Sequence, residues 1–368
     1  MYICWWSYSC ALQRFTNSGL CDSEFVFDVE NESEFAMIKC RMGDAKRHLV
    51  KVLGNDGNQL VPIYLSGSPG CGKSDIVRQA AAELGREVID VRLSLLEPSD
   101  LRGLPFVHDG KVKWGRPSFF PESGNSIIFL DEFSQAHKAV QGASLQLVLD
   151  RALGDFKLPA GTGIILAGNR TSDRAGCQGV ISPLVNRVCF LEVEANHEDW
   201  LQWAYAHSID PVVTGYIELR PDHLFQAPAA EGVPFATPRS WAMVSKWSNC
   251  PYEAVSGMVG EAIAPSFIAF RQVFGSFDIV KMLADPAGCV IPEAMDVRYA
   301  IASSLIQRSD ISNAEEVCTL ATRLPAEFTA LFAKGALAKD AKFMAKAIKV
   351  IPFRQWMEKN QSMLSYIK

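Results

Sequence analysis

The eight residues Gly67-Ser68-Pro69-Gly70-Cys71-Gly72-Lys73-Ser74 fit the spacing G-x-x-x-x-G-K-[ST], and residue types in this order can cradle phosphate groups. Glycines at these positions let successive backbone N–H groups turn inward as an anion nest. A helix beginning at Ser74 would add the positive end of its dipole. Lys73 would reach the β- and γ-phosphates of a nucleoside triphosphate. Ser74 would offer its hydroxyl to Mg²⁺, a hard cation that prefers oxygen ligands. The segment from Gly67 to Ser74, with Ser68, Pro69, Gly70, Cys71 and Gly72 between, is therefore the candidate binding loop for ATP. A Gly-rich turn can match the pattern by accident, so the acids downstream matter.

Ser126-Ile127-Ile128-Phe129-Leu130-Asp131-Glu132 is an apolar run ending in two carboxylates. A strand of this kind delivers them to the edge of a parallel sheet where ligands bind. Asp131 would join Ser74 on the magnesium, and Glu132 would orient and deprotonate an attacking water. Ile164-Ile165-Leu166-Ala167-Gly168-Asn169 repeats the arrangement with an amide at its end, so Asn169 would polarise that water or touch the γ-phosphate. Charge spread over the γ-phosphate oxygens needs cations beyond lysine and metal. Arg187, in Pro183-Leu184-Val185-Asn186-Arg187, and Arg239, in Ala236-Thr237-Pro238-Arg239-Ser240, are the candidates, though either alone would pass for a surface arginine.

These side chains need a scaffold. Short β-branched runs at Val61 to Leu65, Val88 to Leu93, Ile127 to Leu130 and Ile164 to Ala167 alternate with helical stretches, and a fifth at Val188 to Val193 closes the set. Near-continuous apolar strands alternating with helices predict an α/β domain whose five-stranded parallel sheet is covered on both faces. Before it, Phe35, Ile38, Met42, Leu49 and Val52 recur at helical offsets up to the Gly54-Asn55-Asp56-Gly57 breaker. After Glu194 the strand signals stop, and Trp200, Trp203, Ala204, Trp241, Val244 and Trp247 fall in amphipathic helical patterns that predict a lid. The chain from Ile301 onward again reads as helices. The expected division is a tail or docking extension over 1–32, the α/β domain over 33–194, a helical lid over 195–277 and a helical C-terminal region over 278–368. Lys334, Lys339, Lys342, Lys346 and Lys349 stand against Asp340 alone, which reads either as a solvated face or as a contact for an acidic partner.

Composition narrows the function classes. A chain of 368 residues, 48% hydrophobic and 21% charged with a mean hydropathy of +0.06, is in the range of globular proteins and long enough for more than one domain. A net charge of -5 gives no global attraction for a polyanion, so a nucleic-acid role would need a local basic surface. The ten cysteines show neither C-x-x-C pairs nor zinc spacing, which suits reduced thiols in a cytoplasmic protein. The apolar Tyr2-Ile3-Cys4-Trp5-Trp6 lacks the features of a signal peptide, and no run approaches the roughly 20 apolar residues of a spanning helix. No membrane association is expected.

From about Leu60 to Trp247 the chain resembles the MoxR family of AAA+ ATPases. Beyond the phosphate loop and the acidic strand, the likeness lies in Leu95-Leu96-Glu97-Pro98-Ser99-Asp100-Leu101-Arg102-Gly103, which opens into an inserted hairpin running from Leu104 to about Pro121. It lies also in Asp131-Glu132-Phe133-Ser134-Gln135-Ala136-His137-Lys138 with Gln141, Leu145 and Asp150-Arg151. Gln135 stands where the family usually has arginine. The resemblance implies an AAA+ P-loop domain followed by an α-helical lid, with Asn169 as sensor 1, Arg187 as the arginine finger and Arg239 as sensor 2. It further implies ATP hydrolysis with Mg²⁺ in a ring-shaped homo-oligomer, commonly a hexamer, with Arg187 acting on the neighbour's nucleotide. The output would be chaperone-like remodelling, often with a partner that carries a von Willebrand factor A domain. A second reading is a motor or loader on nucleic acid, with Lys111, Lys113, Trp114 and Arg116 of the hairpin supplying cations and an aromatic ring. A third is a scaffold that holds ATP without turning it over.

Overall fold

Runs of Ile, Leu, Val and Phe that cannot alternate with polar residues must be covered twice, and the computed structural model resolves them into one parallel sheet. It describes residues 39–55, 60–173, 177–227, 230, 232–247 and 249–364. The expectation for the tail over 1–32, and the helical offsets at Phe35 and Ile38, fall outside the described residues. The strands are β1 (Lys39–Arg41), β2 (Ile63–Gly67), β3 (Glu87–Arg92), β4 (Pro105–His108), β5 (Lys111–Trp114), β6 (Ser126–Asp131), β7 (Ala152–Leu153), β8 (Phe156–Lys157), β9 (Gly163–Gly168) and β10 (Cys189–Glu194). Six of them form the main sheet in the order β1-β10-β2-β9-β6-β3, all pairs parallel. β4 pairs with β5, and β7 with β8, as separate antiparallel hairpins.

The five-strand expectation is corrected to six. The added strand, Lys39-Cys40-Arg41, is a three-residue edge element with two cations in it. A segment that short has no readable period, and charge is what an exposed edge usually carries.

The helices of the α/β region are α1 (Met42–Leu53), α2 (Lys73–Glu83), α3 (Pro98–Arg102), α4 (Lys138–Asp150) and α5 (Ser182–Val185). The two-residue period of the strands sorts their side chains between two layers. Ile63, Leu65, Ile127, Phe129, Ile165 and Ala167 pack against Ala45 and Leu49 of α1 and Val77 and Ala80 of α2. Tyr64, Ile128, Leu130, Ile164 and Leu166 face Val140 and Leu147 of α4 on the opposite side. Each Val, Leu, Ile or Phe among them contributes roughly 1.5–3 kcal/mol when fully withdrawn from water, so both faces fix the register of the strand ends.

The remaining helices are α6 (His197–Ala206), α7 (Pro211–Leu219), α8 (Pro238–Lys246), α9 (Tyr252–Val259), α10 (Ala264–Phe274), α11 (Ile279–Ala284), α12 (Met295–Arg308), α13 (Ala314–Ala321), α14 (Ala326–Lys339), α15 (Ala341–Ala347), α16 (Ile351–Lys359) and α17 (Gln361–Leu364). One continuous apolar core runs through them, from Trp200 and Trp241 to Phe328, Phe343 and Phe353. Among the described residues no helix is long and apolar enough to cross a membrane. The lysine-rich stretch is partly structural. Lys339 Nζ donates to the carbonyls of Ile306, Gln307 and Ser309 at the end of α12, and Lys346 Nζ to that of Ile311 just beyond it.

A carboxyl lies in this helical region. The Tyr205 hydroxyl donates to Glu218 Oε1 at 2.9 Å, and burial pushes the Glu218 carboxyl up to about 7, with Glu198 raising it further and Lys334 and the Tyr205 hydrogen bond opposing. A carboxyl whose pKa is higher folded than unfolded favours the folded state fully below its unfolded value, near 4.5, and loses that contribution as pH rises through about 7. Urea unfolding of the chain and of Glu218→Gln across that window is expected to show native stability falling relative to the variant, by at most about 1.4 kcal/mol per pH unit. Parallel curves for the two proteins would contradict it.

Candidate functional site

The phosphate-loop pattern lies where strand chemistry and helix chemistry meet. β2 ends at Gly67, Pro69 and Gly70 make a turn, and α2 starts at Lys73. Gly72 caps α2 with φ of 113°, a left-handed backbone that a side chain would strain, so glycine is the residue this position requires. Lys73 is buried, and its Nζ donates to Gly67 O at 2.7 Å, Ser68 O at 3.0 Å and Asn169 Oδ1 at 2.9 Å. Burial lowers its pKa, with the nearby Arg239 adding to the effect, while Cys71, Asp131 and Asp173 oppose it. Burial pushes the adjacent Cys71 thiol up. Ser74 Oγ donates to Asp131 Oδ2 at 2.9 Å, so the two proposed metal ligands already touch.

Glu132 follows at the end of β6 with φ of 58°, a left-handed conformation costing a non-glycine residue about 1–2 kcal/mol. Its N–H donates to Asp131 Oδ1 at 2.9 Å, and its Oε2 accepts from Ser94 Oγ. The strained turn sends the Glu132 side chain toward Ser94, beyond the end of β3. Asn169 is fixed from behind. Its N–H donates to the buried Ser134 Oγ at 2.8 Å, and Ser134 Oγ in turn donates to Gln135 Oε1 at 3.0 Å. Gln135 thus buttresses the link between the acidic loop and Asn169.

Arg239 arrives from the helical region. Thr237 caps α8 reciprocally, with Ser240 N–H donating to Thr237 Oγ1 at 3.0 Å and Thr237 N–H donating to Ser240 Oγ at 2.8 Å. Pro238 occupies the first turn, where its missing N–H costs nothing. The Arg239 N–H then donates to Gly70 O at 3.3 Å, setting the side chain beside the phosphate loop. A cleft of about 1110 Å³ opens there. Gly70, Cys71, Gly72, Ser74, Asp131 and Glu132 line one wall, and Arg239 with Trp203 and Met243 line the other. Arg187 stands apart. It is exposed just past α5, is not a lining residue of the cleft, and makes a 3.4 Å contact from Nη1 to Pro183 O.

Sequence reasoning gave no role to Ser94 and Arg170, which belong to no spaced motif, or to Ser134, which was quoted in the acidic segment without one; all three touch the proposed machinery. Gly168 could have signalled one of them. A methyl group there would collide with the Tyr64 hydroxyl and press on Ser134 Oγ, so the sharp approach of β9 to the acidic loop depends on glycine. Gly168→Ala is expected to lower stability by about 1–3 kcal/mol, as overpacking does, with part recovered in a Tyr64→Phe background. Thermal unfolding of the single and double variants checks it, and an undiminished midpoint for Gly168→Ala would refute the contact.

The hairpin is β4 and β5, and its register divides it. Val107 pairs with Val112 and Pro105 with Trp114 on one face, whereas Phe106 pairs with Lys113 and His108 with Lys111 on the other. Trp114 therefore does not share a face with Lys111 and Lys113, which corrects the grouping expected from sequence. Arg116 is also taken: it donates to Phe120 O and Pro121 O at 3.2 and 2.7 Å, with its guanidinium 5.1 Å over the Phe120 ring.

Residues 63–187 match the family model described as ATPase family associated with various cellular activities (AAA). The fold is an AAA+ domain followed by a helical C-terminal region. No curated protein matches the chain. Among solved structures it is similar to the Thermotoga maritima RuvB Holliday junction branch migration motor, at 15% identity and a TM-score of 0.33, with 86% of this chain and 87% of that one covered. It is also similar to NtrX from Brucella abortus, at 14% identity and a TM-score of 0.32 over 86% of this chain and 67% of that one. The same holds for NtrX from Brucella abortus in complex with ADP, at 11% identity and a TM-score of 0.32 over 88% and 68%. Likenesses this distant say nothing of what the AAA+ domain here acts on.

Proposed function

We propose that the chain is a MoxR-like AAA+ ATPase that couples Mg²⁺-dependent ATP hydrolysis to the remodelling of a protein partner, acting as a ring-shaped homo-oligomer. Residues 33–194 would be its nucleotide-binding part, 195–277 its lid and 278–368 a further helical region. The observation that carries the reading is the meeting of Lys73 with Asn169 and of Ser74 with Asp131 at one rim of the sheet, facing Arg239.

In this reading the Gly67 to Ser74 loop and the α2 N-terminus hold the triphosphate. Ser74 and Asp131 fit Mg²⁺ because they present hard oxygen donors side by side. Among the described residues no group of three or more His, Cys, Asp and Glu side chains could form a protein cage for an ion. Magnesium held mainly by two protein oxygens, phosphate and water suits such a site. Glu132 would take the proton of the attacking water, with Asn169 steadying the γ-phosphate and Arg239 meeting it from the lid. Arg187, exposed and away from its own cleft, would serve the neighbouring subunit, which is the ground for proposing a ring. A hexamer and a partner with a von Willebrand factor A domain come from the family resemblance.

The nucleic-acid reading keeps one supporting feature, the hairpin face that gathers Phe106, His108, Lys111 and Lys113. Phosphate release measured with ATP and Mg²⁺, with a chelator, and with added single-stranded DNA separates the readings. Mg²⁺-dependent release indifferent to DNA is the expected result. Stimulation by DNA that collapses between about 50 and 200 mM salt would favour the nucleic-acid motor. ATP binding with no release at all would leave only the scaffold.

A further inference from the structure

The strand that launches the phosphate loop, β2, lies between β9 and β10 in the sheet. One side chain reaches across its mouth. Arg170, directly after Asn169, donates through Nη2 to the buried Ser68 Oγ at 3.0 Å and through Nη1 to Glu192 Oε1 on β10 at 2.9 Å. Glu194 Oε1 lies 3.7 Å from the same Nη1, and Asp173 Oδ2 lies 3.7 Å from Nε. Ser68 Oγ in turn donates to Asp173 Oδ1 at 3.3 Å, and Lys39 of the edge strand pairs with Glu194 at 2.7 Å.

We propose that Arg170 is a positioning residue of the phosphate loop, holding Ser68 against Glu192 so that the backbone N–H groups of the loop stay aimed at a bound phosphate. The inference rests on the nucleotide-binding reading above. Three carboxylates surround this one guanidinium, so its charge is committed to them, and Arg170 acts on the loop rather than on the phosphate. The two consecutive residues at the end of β9 grip opposite sides of the loop: Asn169 takes Lys73 and Arg170 takes Ser68. A shift of Asn169 on meeting a γ-phosphate is carried to Ser68 through a single peptide unit. Lysine cannot replace the planar fork, because an ammonium lacks the fixed geometry that serves Ser68 and Glu192 together.

The test is a double-mutant cycle on nucleotide affinity, titrating a fluorescent ADP with Mg²⁺ into the full chain, Arg170→Ala, Ser68→Ala and the double variant. Each single change is expected to weaken binding about ten- to a hundredfold, the scale of a lost charge-assisted hydrogen bond. The double variant should be no weaker than the worse single one, because both remove the same link. Arg170→Lys should recover only part, and kcat at saturating ATP should fall less than affinity does. Should Arg170→Ala fail to fold, Ser68→Ala and Glu192→Gln carry the same comparison. Strictly additive losses, or unaltered affinity in the folded variants of a chain that itself binds nucleotide, overturn the role of Arg170. A native chain that binds no nucleotide overturns the parent reading as well.

Discussion

Glu132→Gln is expected to lower kcat by about 10²–10⁴ while leaving nucleotide affinity near that of the native chain. The substitution removes the carboxylate proposed above to take a proton from water and keeps its size. Gly67 O, Ser68 O and Asn169 hold Lys73, and Asp131 holds Ser74, through contacts in which the Glu132 side chain has no part, so the binding loop stays as it is. The glutamine can still accept from Ser94 Oγ, so the strained turn at Glu132 keeps its anchor. Single-turnover phosphate release together with a fluorescent-nucleotide titration measures both halves. Undiminished turnover would mean that another group activates the water. A collapse of affinity would mean that Glu132 supports the fold instead.

Arg187→Ala is expected to reduce turnover by about 10³–10⁵, the range in which an arginine supplied to a phosphoryl-transfer site acts. The effect should depend on mixing. Subunits with Arg187→Ala keep an intact cleft and lack a cation to lend; those with Lys73→Ala keep the cation and lose the cleft. Combined, they should regain part of the activity absent from either alone. The ground is positional: Arg187 sits exposed past α5, does not line the cleft of its own chain, and its guanidinium makes a long 3.4 Å contact to Pro183 O. Phosphate release across a mixing series is the readout, and a series that stays flat would place Arg187 outside the reaction.

Legibility from sequence followed burial. Strands covered on both faces, such as Ile127 to Leu130 and Ile164 to Ala167, announce themselves because every residue must be apolar, and each leads to a polar side chain at the rim. The phosphate loop was legible because its glycines answer to backbone geometry at fixed offsets. The edge strand Lys39–Arg41 was not, since three residues with two charges carry neither period nor hydrophobicity. Ser94, Ser134 and Arg170 were invisible for a different reason. Their partners Glu132, Asn169, Ser68 and Glu192 are distant in sequence or follow no family spacing, and an ordinary serine or arginine discloses its partner only when the chain is folded. Cation and aromatic side chains close together in the hairpin sequence were separated by strand alternation, which sends Trp114 to one face and Lys111 and Lys113 to the other.

The unbroken apolar interior from Trp241 to Phe353 has a mechanical consequence. Trp241 is two residues from Arg239, and close-packed side chains transmit displacement instead of absorbing it. If α8 tilts with the bound phosphates, the helices that share this interior, α12, α14 and α16 among them, would move with it as one packed body.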